Sequence, residues 1–247
     1  MCGICGCEPH PADHDHDHAH APSEHRHVQV ERRLLEVNEQ RARALAQRLA
    51  KLGIEAIGLL GGAGAGKTAL LEATLARLGD AAREAVVEGD CATDLDARRI
   101  AACGARVVQV TTGALCHLDA ALVERALASL DLRGVERLWI ENVGNLVCPA
   151  AFGCGESRRA VVVSVCEGDD KPLKYPALFA SADVLVISKL DLLPHTDFVL
   201  ERCIAHARSV RPGLHALALS ARSGAGMDAW LAWLGEGRER PGKGAGR

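Results

Sequence analysis

Residues 61–68 read Gly-Gly-Ala-Gly-Ala-Gly-Lys-Thr, between an apolar run at 54–60 and an apolar-periodic stretch at 69–78. G-x4-G-K-T in that setting is a strong constraint: a strand must enter a glycine-rich turn and a helix must leave it. Such a turn lets consecutive backbone N–H groups converge on phosphate oxygens at a helix N-terminus. Gly61, Gly64, Ala65, Gly66, Lys67, Thr68 and Ala69 are therefore expected around the phosphates of a nucleotide. Lys67 is expected at the β- and γ-phosphates and Thr68 on Mg²⁺. A glycine-rich turn that binds nothing is the competing reading, and the flanking strand and helix argue against it.

Beyond this unit, β-branched runs at 84–88, 106–111, 137–141, 160–165, 184–188 and 214–219 alternate with helical stretches. Alternation of this kind specifies an α/β fold, a P-loop NTPase with a mostly parallel, doubly wound sheet of about seven strands. This domain is expected over 54–234. Leu35, Ala42, Leu45, Leu49 and Leu52 recur at helical spacing and predict an N-terminal helix over 28–53, closed by Gly53. Residues 1–27 carry almost no large apolar side chains and are expected to be a disordered metal-binding tail. Residues 235–247, rich in Gly, Arg, Lys and Pro, are expected to be a flexible C-terminal tail.

With 48% hydrophobic and 25% charged residues the chain can bury a real core. A net charge of −3 offers no basic field, so no nucleic-acid partner is expected. The N-terminus lacks a basic and an apolar signal region, and no window of about 18 residues is apolar enough to span a bilayer. The reading is a cytoplasmic protein with no membrane insertion.

Parallel strands present their carboxyl ends to the ligand crevice. Asp90 and Glu141 close two such strands and join Lys67 and Thr68 as the candidate catalytic set, with Asp96 a further Mg²⁺ candidate. After the sixth strand comes Ser188-Lys189-Leu190-Asp191, where a guanine-reading loop would carry N-K-x-D. An Asp here can accept from guanine N1–H and N2–H₂, which adenine cannot offer. The Lys189 stem can lie along the purine and tie down the phosphate loop. Ser220-Ala221 follows another strand and resembles a loop that reaches guanine O6 through a backbone N–H. The expected nucleotide is GTP; an ATP-dependent kinase is the competing reading.

Several strings are more specific than the phosphate loop. They are Glu88-Gly89-Asp90 with Thr93 and Asp96, Thr112-Gly113 with Cys116-His117-Leu118-Asp119, E-N-V-G-N-L-V-C-P at 141–149 and D-K-P-L-K-Y-P at 170–176. Over about 34–233 the chain resembles the hydrogenase nickel-incorporation GTPases of HypB type, dimerising P-loop GTPases related to signal-recognition-particle and MinD proteins. The urease-accessory GTPases share the architecture but carry E-S-G-G-D-N-L where this chain has E-N-V-G-N-L. The resemblance implies a GTP-hydrolysing nickel metallochaperone that serves the large subunit of a nickel–iron hydrogenase. It also implies a GTP-dependent homodimer and a partner nickel-maturation protein of HypA type. A chiefly nickel-storing protein with regulatory nucleotide binding, and a urease-accessory-type GTPase, are the alternatives.

Ten Cys and eleven His are present, and three Cys and seven His fall within the first 27 residues. In a reducing compartment clustered cysteines read as metal ligands or redox groups. Cys116 and His117 are adjacent at a helix start, and Cys148 follows Glu141 closely. Thiolate and imidazole suit Ni²⁺ or Zn²⁺. From spacing alone a small buried hydrophobe is an equal reading for either cysteine. The resemblance implies a metal site near the dimer interface built from these three residues. Cys2, Cys5 and Cys7 form a second candidate site, and the His–Asp tract behind them is a compositional signal for holding several ions. Cys91, Cys103, Cys154, Cys166 and Cys203 carry no functional expectation.

Overall fold

Residue alternation along the strands sets the architecture. In β1, Ile57 and Leu59 belong to one apolar cluster while Ala56 and Leu60 belong to clusters on the opposite face. A strand buried on both faces must have helices above and below it. The computed structural model describes residues 22–113 and 115–238. The elements run α1 (Pro22–Lys51), β1 (Glu55–Gly61), α2 (Lys67–Leu78), β2 (Glu84–Asp90), α3 (Leu95–Ala102), β3 (Arg106–Thr111), α4 (Ala120–Leu127), β4 (Arg137–Glu141) and α5 (Cys148–Ala151). They continue with β5 (Arg158–Ser164), α6 (Lys171–Lys174), α7 (Pro176–Ala180), β6 (Val184–Ser188), α8 (Leu200–Val210), β7 (His215–Ala218) and α9 (Met227–Arg238).

The seven strands form one all-parallel sheet in the order β3-β2-β4-β1-β5-β6-β7. β1 lies between β4 and β5, so the phosphate loop leaves the middle of the sheet. The ends of β2 and β4 stand on one side of that loop and those of β5 and β6 on the other. One apolar cluster packs α2, α3 and α9 on the sheet through Leu70, Leu71, Ile100 and Trp230. A second brings α1 and α4 to the other face through Leu45, Leu49 and Val123.

Several expected boundaries differ; β5, for one, runs from Arg158 to Ser164 rather than over 160–165. β2 runs two residues past 88, because Gly89 and Asp90 pair in register with Val110 and Thr111. The first helix starts at Pro22 rather than 28. No Gly or Pro interrupts the chain from 23 to 52, so low hydrophobicity alone did not bar a helix there. At the other end, α9 continues through Gly235 to Arg238 where a flexible tail from 235 was expected. Trp230, Trp233 and Leu234 are buried, and Trp230 Nε1 donates to Thr74 Oγ1 at 2.8 Å; that anchorage carries the helix past Gly235 and Gly237. The remainder of the expected tails, 1–21 with Cys2, Cys5 and Cys7, and 239–247, lies outside the described residues.

Met1–Leu34 and Leu35–Arg247 are separate units; of the first, the described part is the beginning of α1. Within the second unit, α1 is fixed by a buried amide as well as by leucines. Asn38 Nδ2 donates to Gly153 O and its Oδ1 accepts from Ala120 N, both at 2.9 Å. Asn38→Ala would leave a donor and an acceptor without partners in the interior. The expected loss is about 2 kcal/mol of unfolding free energy, read from denaturant titration.

Candidate nucleotide site and metal cluster

Gly61 ends β1 at φ 155°, where an added Cβ would stand 2.3 Å from Val162 O; the strand-to-loop transition needs glycine. Lys67 is buried at the start of α2, and its Nζ donates to Gly61 O at 3.2 Å and Gly62 O at 3.1 Å. Burial lowers its ammonium pKa, against the pull of Glu141 and Glu167. The neighbouring Thr68 Oγ1 donates to Glu141 Oε1 at 2.6 Å. Lys67, Thr68 and Glu141 are thus brought together at the mouth of the loop.

Glu88 opens the string at 88–90 and carries no expected role from the sequence. It lies beside Glu141 in the β2–β4 register and is 2% exposed. Both Glu88 Oε2 and Glu141 Oε2 are buried without a hydrogen-bond partner. Burial, reinforced by the other carboxylate, pushes Glu88 up to about 8, and burial pushes Glu141 up to about 7. The available signal was an acidic residue inside an apolar strand, but only the pairing register shows that the two carboxylates are neighbours.

Asp90 and Asp96 are engaged elsewhere. Asp90 Oδ1 accepts from the backbone N–H of Ala92 and Thr93, both at 2.8 Å, which holds its carboxyl below the usual range. Asp96 lies in the first turn of α3 and pairs with Arg99 at 2.8 Å.

The base-reading loops close the opposite side. Ser188 Oγ donates to Ala65 O at 2.6 Å, so the Ser that replaces Asn holds the phosphate loop directly. Lys189 takes a left-handed conformation, φ 58°, and its Nζ donates to Gly64 O at 2.7 Å. Asp191 Oδ1 accepts from Ser220 Oγ at 2.5 Å, which ties the loop after β6 to the one that continues into Ala221 after β7. Ser220 is fully buried while Asp191 is exposed.

The metal candidates also converge. Cys116 follows β3 and Cys148 follows β4, with β2 between those strands. The loop carrying Cys116 and His117 crosses the end of β2 because position 89 is glycine; a Cβ there would meet Leu118 Cγ at 2.7 Å. Ligand atoms of Cys116, His117 and Cys148 all lie within 4.8 Å of one another, the one such grouping among the described residues. The two Sγ atoms are 2.8 Å apart, and the His117 ring stacks on Phe152 at 4.2 Å between centroids. Burial lowers the His117 pKa and so favours the neutral imidazole that ligates metals. The Cys116 thiol beside it pushes the Cys148 pKa up. Cys154 and Cys203 are buried, and Cys91 contacts the carbonyl of Leu115 at 3.9 Å.

The family model described as CobW/HypB/UreG, nucleotide-binding domain, matches residues 55–218. The hydrogenase maturation factor HypB of Azotobacter vinelandii is 49% identical over 207 residues, 84% of this chain and 68% of that protein. The chain belongs to the CobW/HypB/UreG family, on its HypB branch. Crystal structures agree. HypB from Helicobacter pylori in complex with nickel superposes with a TM-score of 0.78 at 33% identity, covering 82% of this chain and 95% of that one. HypB from Archaeoglobus fulgidus gives 0.76 at 33% identity, with 82% and 99% covered. HypB membership makes the loop at 61–68 part of a nucleotide-binding domain.

The paired carboxylates give a pH signature. Glu88 and Glu141 hold their protons to higher pH when folded than the ordinary value of 4.5. Their contribution to stability is therefore full below about pH 4.5 and is lost as pH rises through about 7 to 8. Nucleotide- and metal-free protein should melt at a lower temperature at about pH 8 than at about pH 5.5, and Glu88→Gln should flatten that slope. Calorimetry at the two pH values checks both expectations.

Proposed function

We propose that this HypB-type maturation factor binds and hydrolyses GTP and couples that cycle to delivery of nickel to the large subunit of a nickel–iron hydrogenase. The carrying observation is that one segment, residues 141–148, begins against the phosphate loop at Thr68 and ends in the Cys116–His117–Cys148 cluster. The two thiols and an imidazole suit Ni²⁺ as cargo, and Zn²⁺ is a second occupant of the same donor set. The similarity to nickel-bound HypB supports the assignment. The curated relatives are named for hydrogenase maturation, which favours that pathway over a purely urease-accessory role.

In this reading the backbone N–H groups of 62–68 and the N-terminus of α2 hold the phosphates, and Lys67 turns its ammonium from Gly61 O and Gly62 O to the β- and γ-oxygens. Asp191, oriented by Ser220, accepts from guanine, and the Lys189 stem supports the base. The residues present fit a hard divalent cation: the Thr68 hydroxyl meets Glu141, and two buried carboxylate oxygens lack protein partners. Thr68 and Glu141 are the residues that would hold it, with Glu88 beside them, whereas Asp90 and Asp96 are engaged by Ala92, Thr93 and Arg99. Mg²⁺ bound there would neutralise charge on the phosphate oxygens.

Exposed Leu115 and Val147 flank the cysteines of the cluster and supply apolar surface for a GTP-dependent homodimer that completes the metal site. A HypA-type nickel-maturation protein is the proposed upstream partner, in the cytoplasm. Cys2, Cys5 and Cys7 are proposed as a separate nickel site, with the His–Asp tract as a store.

Lys67→Ala should abolish GTP turnover and leave nickel binding at Cys116 and Cys148 intact; retained turnover refutes the phosphate-site assignment. Asp191→Asn should weaken GTP at least about tenfold and favour xanthosine triphosphate, whose 2-oxo group accepts where guanine donates. Isothermal titration with the two nucleotides decides this, and ATP binding as tightly as GTP would count against the guanine reading.

A further inference from the structure

Between Glu141 and Cys148 the chain touches the phosphate loop and the metal loop in turn. Asn142 is buried on the side of β4 away from Glu141. Its N–H donates to Leu59 O at 3.0 Å, within the sheet, and its Oδ1 accepts from Leu118 N at 2.9 Å. Its Nδ2 meets Cys154 Sγ at 3.7 Å, and that sulfur in turn contacts Leu118 O at 3.3 Å. The residue after His117 is thereby fastened to the sheet on both its N–H and its carbonyl.

Further on, contact with the phosphate loop returns. A Cβ at Gly144 would stand 2.6 Å from Ala63 Cα, and Asn145 pairs with Gly61 in an antiparallel bridge. The Asn145 side chain then faces the metal cluster. Its Nδ2 donates to Cys116 O at 3.4 Å, and its Oδ1 accepts from Val147 N at 2.8 Å in the turn that opens onto Cys148. One half-exposed amide therefore holds the backbone of one thiol ligand and the approach to the other. Its own backbone rests on the glycine that begins the phosphate loop.

We infer that Asn145 is the positioning residue that sets the Cys116–Cys148 separation and passes the state of the phosphate loop to it, while Asn142 keeps the Cys116–His117 loop fixed. This rests on the GTP–nickel reading above and names the contact through which it operates. A shift of Ala63 when a γ-phosphate is gained or lost is transmitted to Gly144 by direct contact. Asn145 cannot follow Gly144 without changing its bonds to Cys116 O and Val147 N. Coupling of this kind is reciprocal, so nickel must alter nucleotide affinity by the same factor.

The test uses the full chain carrying Cys2→Ser, Cys5→Ser and Cys7→Ser, so that thiolate-to-nickel charge-transfer absorption reports the 116–148 cluster. Nickel affinity is measured with Mg²⁺–GDP and with a non-hydrolysable Mg²⁺–GTP analogue. The parent should show affinities differing by about fivefold or more, the usual lower range of such coupling. Asn145→Asp keeps the acceptor for Val147 N–H but cannot donate to Cys116 O. It should bring the two affinities within about twofold of each other, with the melting temperature unchanged. Asn145→Ala, which removes both bonds, should do the same. A ratio kept at the parent value in both variants overturns the role of Asn145 and leaves the GTP–nickel reading standing. A parent chain whose nickel affinity is the same with either nucleotide overturns both.

Discussion

The contact between Thr68 Oγ1 and Glu141 Oε1 joins the two elements on which the rest depends. Thr68 opens the helix that leaves the phosphate loop, and Glu141 ends the strand beside it in the sheet. From that point the chain reaches Cys148 within seven residues, so two sites of different chemistry share one short piece of backbone. The sheet makes this possible. β4 lies directly against β1, and the metal loop from β3 reaches across β2 over Gly89, the position where a side chain would collide with Leu118.

Charge follows the same geometry. Glu88 and Glu141 are placed side by side in low dielectric, each with an oxygen that no protein group satisfies. Two buried carboxylates side by side are costly to ionise together. The thiols of Cys116 and Cys148 form a second close pair, their Sγ atoms 2.8 Å apart and Cys148 pushed up by the Cys116 thiol. Both pairs offer donor atoms to a cation. The first is hard oxygen beside a phosphate loop, and the second is soft sulfur with a neutral imidazole.

Much of this was legible in the sequence, for local reasons. The phosphate loop is contiguous, the strands are short apolar runs separated by helical stretches, and Lys189 and Asp191 lie in one tetrapeptide. What depended on partners far away in sequence was not legible. In the sequence Ser188 is only a Ser where a guanine-reading loop carries Asn; its bond to Ala65 O spans 123 positions. Glu88 needed the β2–β4 register, and Asp90 looked free for a cation until its loop folded back to offer two N–H groups. The ends of α1 and α9 do not follow composition: neither low hydrophobicity at 22–27 nor the glycines at 235 and 237 stop a helix.

In the proposed cycle, the coordination of cargo nickel by Cys116, His117 and Cys148 depends on the nucleotide held at Lys67 and Thr68. X-ray absorption at the nickel edge, on the full chain with Cys2, Cys5 and Cys7 replaced by Ser, reads that coordination directly with GDP and with a non-hydrolysable GTP analogue. Sulfur and imidazole scattering is expected in one state and a changed sulfur contribution in the other. Identical nickel spectra in the two nucleotide states would refute the coupling.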